Sequence, residues 1–166
     1  MKTYKFYGRE KELANIKPLI NKECKTSCDS NETSTIDKEV TYPGINNPYD
    51  LYDALCNIWR ADTCAPRMRD KWTKENMTMG QCSITSFLVQ DIFGGDVYGI
   101  LREGGNYHCY NVIDGYVFDL TSEQFTGEIL DYTNNPIQLR SVHFAKEEKY
   151  KRYLLLKNLL KEYCYK

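Results

Sequence analysis

A chain of 166 residues is long enough to bury a sizeable core as one domain with a small annex, and needs neither disulfides nor metals to fold. Its 42% hydrophobic and 27% charged residues argue against wholesale disorder. Twenty-two basic against twenty-three acidic side chains leave a net charge of −1, which removes the electrostatic case for nucleic-acid binding as the main activity.

The first residues, 1–12, are charged throughout and lack the apolar stretch of a signal peptide. No run approaches the roughly 20 apolar residues of a membrane span. A cytoplasmic location is therefore expected, with mostly reduced thiols despite the high count of seven cysteines. Residues 9–22 read as a short helix weakened by Pro18. From Lys22 to Asn47 the chain is rich in Ser, Thr, Asn, Asp and Lys, and reads as a long surface connection. Residues 1–47 thus form an N-terminal extension and 48–166 the main domain.

That domain opens on a well-marked helix. Asn47 is placed to cap it, Pro48 suits the first helical position, and Leu51, Tyr52, Leu55, Ile58 and Trp59 recur at helical spacing. A second helix is expected from about Cys82 to Phe93, with Ile84, Phe87, Leu88 and Ile92 as its stripe and Gly94-Gly95 as its end. The period then changes from helical to alternating. Residues 96–102, 106–113 and 116–121 read as three strands, with Gly104-Gly105 and Asp114-Gly115 as hairpin turns. A final helix is expected over about 145–163, its buried face carrying Tyr153, Leu156, Leu160 and Tyr163. Glu147–Lys151 and Glu148–Arg152 make favourable pairs along it. Helices followed by antiparallel strands define an α+β fold.

Cys82 falls at the first turn of the second helix, where unpaired amides and the helix dipole favour thiolate over thiol. A nucleophilic thiol also needs a base, and the chain has only two histidines, His108 and His143. If Asp114-Gly115 is a two-residue turn, residue 112 opposes 117 and 110 opposes 119. His108 and Asp119 then share one face as diagonal neighbours, about 7–8 Å apart at the backbone and within side-chain reach. A slip of one residue would separate them. The plainer alternatives are a buried structural cysteine, a satisfied strand histidine, and a Thr121/Gln124 capping box after Asp119.

The stretch from Met79 through Cys82 and Thr85 to Gly94-Gly95, with Tyr107-His108, Asn111, Asp114-Gly115, Asp119-Leu120-Thr121 and Gln124-Phe125, resembles the signature of the YunG-like family. Trp59, 61–64 and Trp72 fit the same resemblance, which covers about residues 50–126. That family in turn resembles the papain-like and transglutaminase-like cysteine enzymes, in which a cysteine heads a helix packed on an antiparallel sheet bearing the histidine and the carboxylate. The resemblance implies Cys82 as nucleophile, His108 as base and then acid, and Asp119 as the orienting carboxylate. It further implies a side-chain oxyanion donor, at Asn76 six residues before the cysteine or at the adjacent Gln81. The implied activity is hydrolysis or acyl transfer at an amide, isopeptide or related acyl bond. The substrate would be a peptide, a protein or a small acyl compound.

Two other readings stand beside this one. Cys24-x3-Cys28 and Cys56-x7-Cys64 have spacings looser than a zinc ribbon, and Cys82, His108, Cys109 or His143 are further potential metal ligands. Since His108 and Cys109 alternate faces, one ion holding both would need a distorted strand. Alternatively the domain is a non-catalytic binding module whose fourteen tyrosines line a groove. No phosphate loop, dinucleotide fingerprint or nucleophile-elbow serine is present, so no cofactor is expected. The acidic helix faces read as solvated.

Overall fold

The structure is a computed structural model that describes residues 41–166. The expected helix at 9–22, most of the polar connection, and Cys24 and Cys28 lie outside the described residues.

Helix α1 (Pro48–Ile58) begins as its sequence dictates. Asn47 Oδ1 accepts from the amides of Tyr49 and Asp50 at 2.9 and 3.0 Å, using two of the donors that a helix start leaves unpaired. Its predicted stripe is buried in full, from Leu51 to Trp59. Helix α2 (Cys82–Phe93) is buried more widely than one stripe. Thr85, Ser86 and Val89 join Ile84, Phe87 and Leu88 inside, while Ile92 is only partly covered.

Three antiparallel strands follow, in the spatial order β1 (Asp96–Leu101), β2 (Tyr107–Ile113) and β3 (Tyr116–Phe118). A tight turn at Glu103–Gly105 joins the first pair. The second pair is closed by Asp114 and Gly115, both at positive φ (50° and 82°), as a type I′ turn requires. Val112 therefore opposes Val117 and Asn111 opposes Phe118, the register the two-residue turn implies. Pairing of β3 ends at Phe118 rather than Thr121, because the chain turns at Asp119 into a short 3-10 turn, Ser122–Phe125. Thr121 makes no capping bond with its side chain. Instead Asp119 Oδ1 accepts from the Thr121 amide at 3.1 Å, so the carboxylate rather than the threonine organises the turn.

Two helices complete the fold. The short α3 (Arg140–Phe144) has no clear sequence period, and α4 (Glu147–Cys164) runs close to its expected span. Tyr153, Leu156 and Leu160 of α4 are buried, but Tyr163 is 41% exposed and Cys164 packs on the core in its place. The helical pitch accommodates a step of either three or four residues, and after Leu160 the structure takes four.

The core lies between the helices and one face of the sheet. It joins Leu51, Leu55, Ile84, Leu88, Val97 and Leu156, each 0 or 1% exposed. Full burial of each such side chain is worth about 1.5–3 kcal/mol. Arg140 ties α3 to α2, donating to Phe87 O at 2.9 Å and to Asp91 at 2.5 Å while stacking over the Phe87 and Tyr153 rings. The chain is thus mixed α+β, with a small three-stranded antiparallel sheet. Among the described residues no helix is long and apolar enough to cross a membrane.

Candidate functional site

The N-terminus of α2 abuts β2, which brings Cys82 to the strand. Its Sγ lies 3.9 Å from the carbonyl oxygen of Tyr107. No side chain caps α2, since Gln81 at the N-cap makes no capping bond, so its first amides are not occupied by a capping group. Cys82 and Ser83, the first two residues of the helix, both line a cleft of about 950 Å³ that also contains His108, Gln124 and Phe125. The approach to the helix depends on Gly80. Its φ is +68°, and a Cβ there would stand 2.7 Å from Cys64 Sγ and 3.1 Å from the Ala65 amide nitrogen. Gly80→Ala is expected to cost about 2 kcal/mol, read as a lowered midpoint in chemical denaturation.

The second hairpin delivers the histidine and the carboxylate. His108 Nε2 lies 2.6 Å from Asp119 Oδ2, with both residues buried. The same carboxylate accepts from Tyr132 Oη at 2.9 Å and from the Thr121 amide and hydroxyl at 3.1 and 3.3 Å. With Nε2–H donating to Asp119, Nδ1 is the nitrogen left to exchange a proton with Cys82. Gln124 holds this edge: its Nε2 donates to Thr121 O at 2.9 Å and lies 3.4 Å from Nδ1, while its Oε1 accepts from the Gly80 amide at 3.4 Å. The Phe125 ring packs edge-on against the imidazole at 4.7 Å. Gln124 therefore links the loop before the thiol to the ring that faces it.

The electrostatics follow from these contacts. Hydrogen bonding from the Cys109 thiol, together with the adjacent charged His108, holds the Cys82 thiol well below its usual range, against the opposing effect of burial. Cys109 is pushed up by the same hydrogen bond and by burial. Burial would lower His108, but the Asp119 charge and hydrogen bond, with the facing Cys82, lift it to about 10. The site therefore favours a thiolate beside an imidazolium. Strand alternation does place His108 and Cys109 on opposite faces, yet both meet the same sulfur. Cys82 sits at the level of the strand backbone, beside the Tyr107 carbonyl, where neither face is out of reach.

His143 has the opposite character. Its Nε2 donates to Gln138 Oε1 at 3.0 Å and its Nδ1 accepts from Lys149 Nζ at 3.2 Å. Burial, reinforced by the Lys149 charge, lowers it to about 4. One histidine of the cleft is therefore cationic at neutral pH and the other neutral.

The two expected oxyanion side chains are placed elsewhere. Gln81 is fully buried, and its Nε2 donates to the Arg60 carbonyl at 3.1 Å. Asn76 accepts from Thr78 at 3.4 Å within its own loop. Neither lines the cleft. The cause is local: Gln81 occupies the turn that leads into α2 and rotates inward as Cys82 rotates outward. Among the described residues no group of three or more His, Cys, Asp or Glu could hold a metal ion. Tyr132 and Lys149 carried no signal in the sequence, and Gln124 stood out only beside Thr121 and as part of the family resemblance, with no role at the histidine.

Comparison with known proteins adds a family. A family model described as "YunG protein" matches residues 47–165, well over half of the chain. "Uncharacterized protein YunG" of Bacillus subtilis (strain 168) is 38% identical over 78 residues, which cover 47% of this chain and 60% of that relative. The aligned stretch thus spans somewhat less than two thirds of the relative's length. No solved structure matches the chain significantly.

Proposed function

The chain belongs to the YunG family, and from that premise we propose that it is a cysteine-dependent hydrolase or acyltransferase of papain-like type, acting on an amide, isopeptide or related acyl bond. One observation carries the reading. A thiol at an uncapped helix N-terminus borders an imidazole whose far nitrogen is bonded at 2.6 Å to a buried carboxylate. That is the arrangement of nucleophile, base and orienting group that acyl transfer requires.

In this mechanism the Cys82 thiolate attacks the substrate carbonyl carbon, and the electron pair of the C=O moves onto oxygen. The Cys82 and Ser83 amides at the start of α2 are the donors for that oxyanion. Collapse to the thioester breaks the C–N bond, and the His108 proton goes to the departing amine. His108, now neutral, then takes a proton from water or an acceptor amine as it attacks the thioester. Collapse of that second intermediate breaks the C–S bond, releasing the product and restoring the Cys82 thiolate beside the His108 imidazolium. Asp119 keeps the ring in one orientation and stabilises its charged form throughout. Hydrolysis ranks ahead of transfer because water is always at hand.

The test is the pH dependence of alkylation, mapped by peptide mass spectrometry in wild type and His108→Ala. Cys82 is expected to react selectively well below the ordinary thiol pKa of about 8.5, and to lose this selectivity without His108. If Cys82 reacts no faster than Cys56, Cys64, Cys109 and Cys164 in the folded protein, the catalytic reading fails. A binding domain on the same scaffold then takes its place.

A further inference from the structure

The cleft around Cys82 has a charge that the chain as a whole lacks. Apart from the mutually compensating Cys82–His108 pair, it is lined by six cationic side chains, Arg67, Lys71, Arg102, Lys146, Lys149 and Arg152, against one carboxylate, Glu103, in a protein of net charge −1. Two of the six are already used. Arg102 is paired with Glu128 at 2.6 Å, and Arg152 is paired with Glu148 and donates to the Thr63 carbonyl at 3.1 Å. Among the described residues the other four have no carboxylate partner within ion-pair distance. Arg67, Lys71 and Lys146 are exposed at the rim, whereas Lys149 is half-buried.

Lys149 is the informative member. A lysine ammonium gives up solvation when it is partly buried, and such charges are normally paired. Here its only hydrogen-bond partner among the described residues is the neutral ring of His143, which accepts one of its three donors at 3.2 Å. The Cys82 and Cys109 thiols act on it through space without bonding it. His143 is in turn fixed by Gln138. The arrangement puts a cation with no carboxylate partner into the cleft that holds the thiol, whose own charge is already matched by the His108 imidazolium. A substrate carboxylate would supply the counter-ion.

We infer that the cleft takes an acyl substrate bearing carboxylates, an acidic peptide segment, with Lys149 and the rim cations Arg67, Lys71 and Lys146 as its specificity determinants. This deepens the catalytic reading and rests on it for the word substrate. A volume of about 950 Å³ lies at the upper end of small-ligand pockets and leaves room for peptide flanking the scissile bond. Met68, Tyr107, Phe125 and Val142 supply apolar surface between the charges. A peptide is favoured over a nucleic acid because the thiol needs an acyl carbon, which a phosphodiester backbone does not offer.

The experiment compares two alkylating reagents at Cys82, anionic iodoacetate and neutral iodoacetamide, by mass spectrometry. Both react through the same thiolate, so their rate ratio cancels the degree of activation and reports the local field alone. The iodoacetate-to-iodoacetamide ratio is expected to exceed that of a free thiol at low salt and to fall as salt is added. It should drop about threefold or more in Lys149→Gln and further when Arg67→Gln and Lys146→Gln are added. A ratio equal to that of a free thiol, or one unchanged by these substitutions, overturns the inference.

A second arm uses protection of Cys82 from iodoacetamide. A short peptide alternating glutamate and alanine should protect, its glutamine counterpart should not, and Lys149→Gln should abolish the difference. Stronger protection by a single-stranded oligonucleotide than by the acidic peptide also overturns it. The two readings fail separately. An unactivated Cys82 with a high ratio sinks catalysis alone, and an activated Cys82 with an ordinary ratio sinks the substrate class alone.

Discussion

Asp119→Asn is expected to destabilise the domain by about 3 kcal/mol and to lower the rate of Cys82 alkylation at pH 7 about tenfold or more. Asp119 is buried and accepts from four donors: the His108 ring, the Tyr132 hydroxyl, and the amide and hydroxyl of Thr121. Asparagine fills nearly the same space but offers one acceptor oxygen and turns its NH2 toward groups that donate. The buried His108 then loses its counter-charge and falls from about 10 toward its ordinary 6.5. Cys82 loses part of the positive charge that lowers it. Tyr132→Phe is the matched control. It removes one neutral donor from the same carboxylate and is expected to cost only about 1 kcal/mol, leaving the charge pair in place. Urea denaturation of both variants decides the matter. Equal costs would mean that Asp119 acts as a turn-forming acceptor and not as the partner of a charged ring.

The His108–Asp119 contact was legible because short-range rules determine it. Asp114-Gly115 supports one kind of two-residue turn, that turn sets the register, and the register puts both side chains on one face. The start of α1 was legible for the same reason, since Asn47 bonds amides two and three residues away. The rest of the site is assembled over longer range. Tyr132 reaches Asp119 from the irregular segment after the sheet, and Lys149 comes from α4 at the far end of the chain. No periodicity records either contact. Gln81 shows a different limit. An amide beside the nucleophile is close in sequence whichever way it points, and only the turn into α2 directs it to the Arg60 carbonyl. The cations of α4 show the same limit. On sequence grounds the cations of α4 serve pairs such as Glu147–Lys151, and that pair forms. Lys149, two positions earlier, points into the cleft instead.

The second large effect concerns pH. Relative to the unfolded chain, folding raises His108 from 6.5 to about 10 and lowers Cys82 well below 9.0. Between about pH 6.5 and 9 the unfolded pair holds one proton, on the thiol, and the folded pair also holds one, on the imidazole. The raised histidine contributes stability that is complete below 6.5 and is lost as pH rises through about 10. The depressed thiol contributes stability present above 9.0 and lost as pH falls through its folded value. In the shared window the two slopes oppose each other, and this pair should leave wild-type stability nearly flat. Cys82→Ser removes the rising contribution. His108, still held up by Asp119, then makes the variant lose stability as pH rises, at a slope of up to about 1.4 kcal/mol per pH unit. Below about pH 9 the difference between the two denaturation profiles isolates the pair, because His143, at about 4, is neutral in both proteins and Cys109, pushed up by burial as well as by Cys82, keeps its proton in both. Parallel profiles across this range would show that folding moves no proton from the thiol to the imidazole. The ion pair on which the proposed chemistry depends would then be absent from the resting protein.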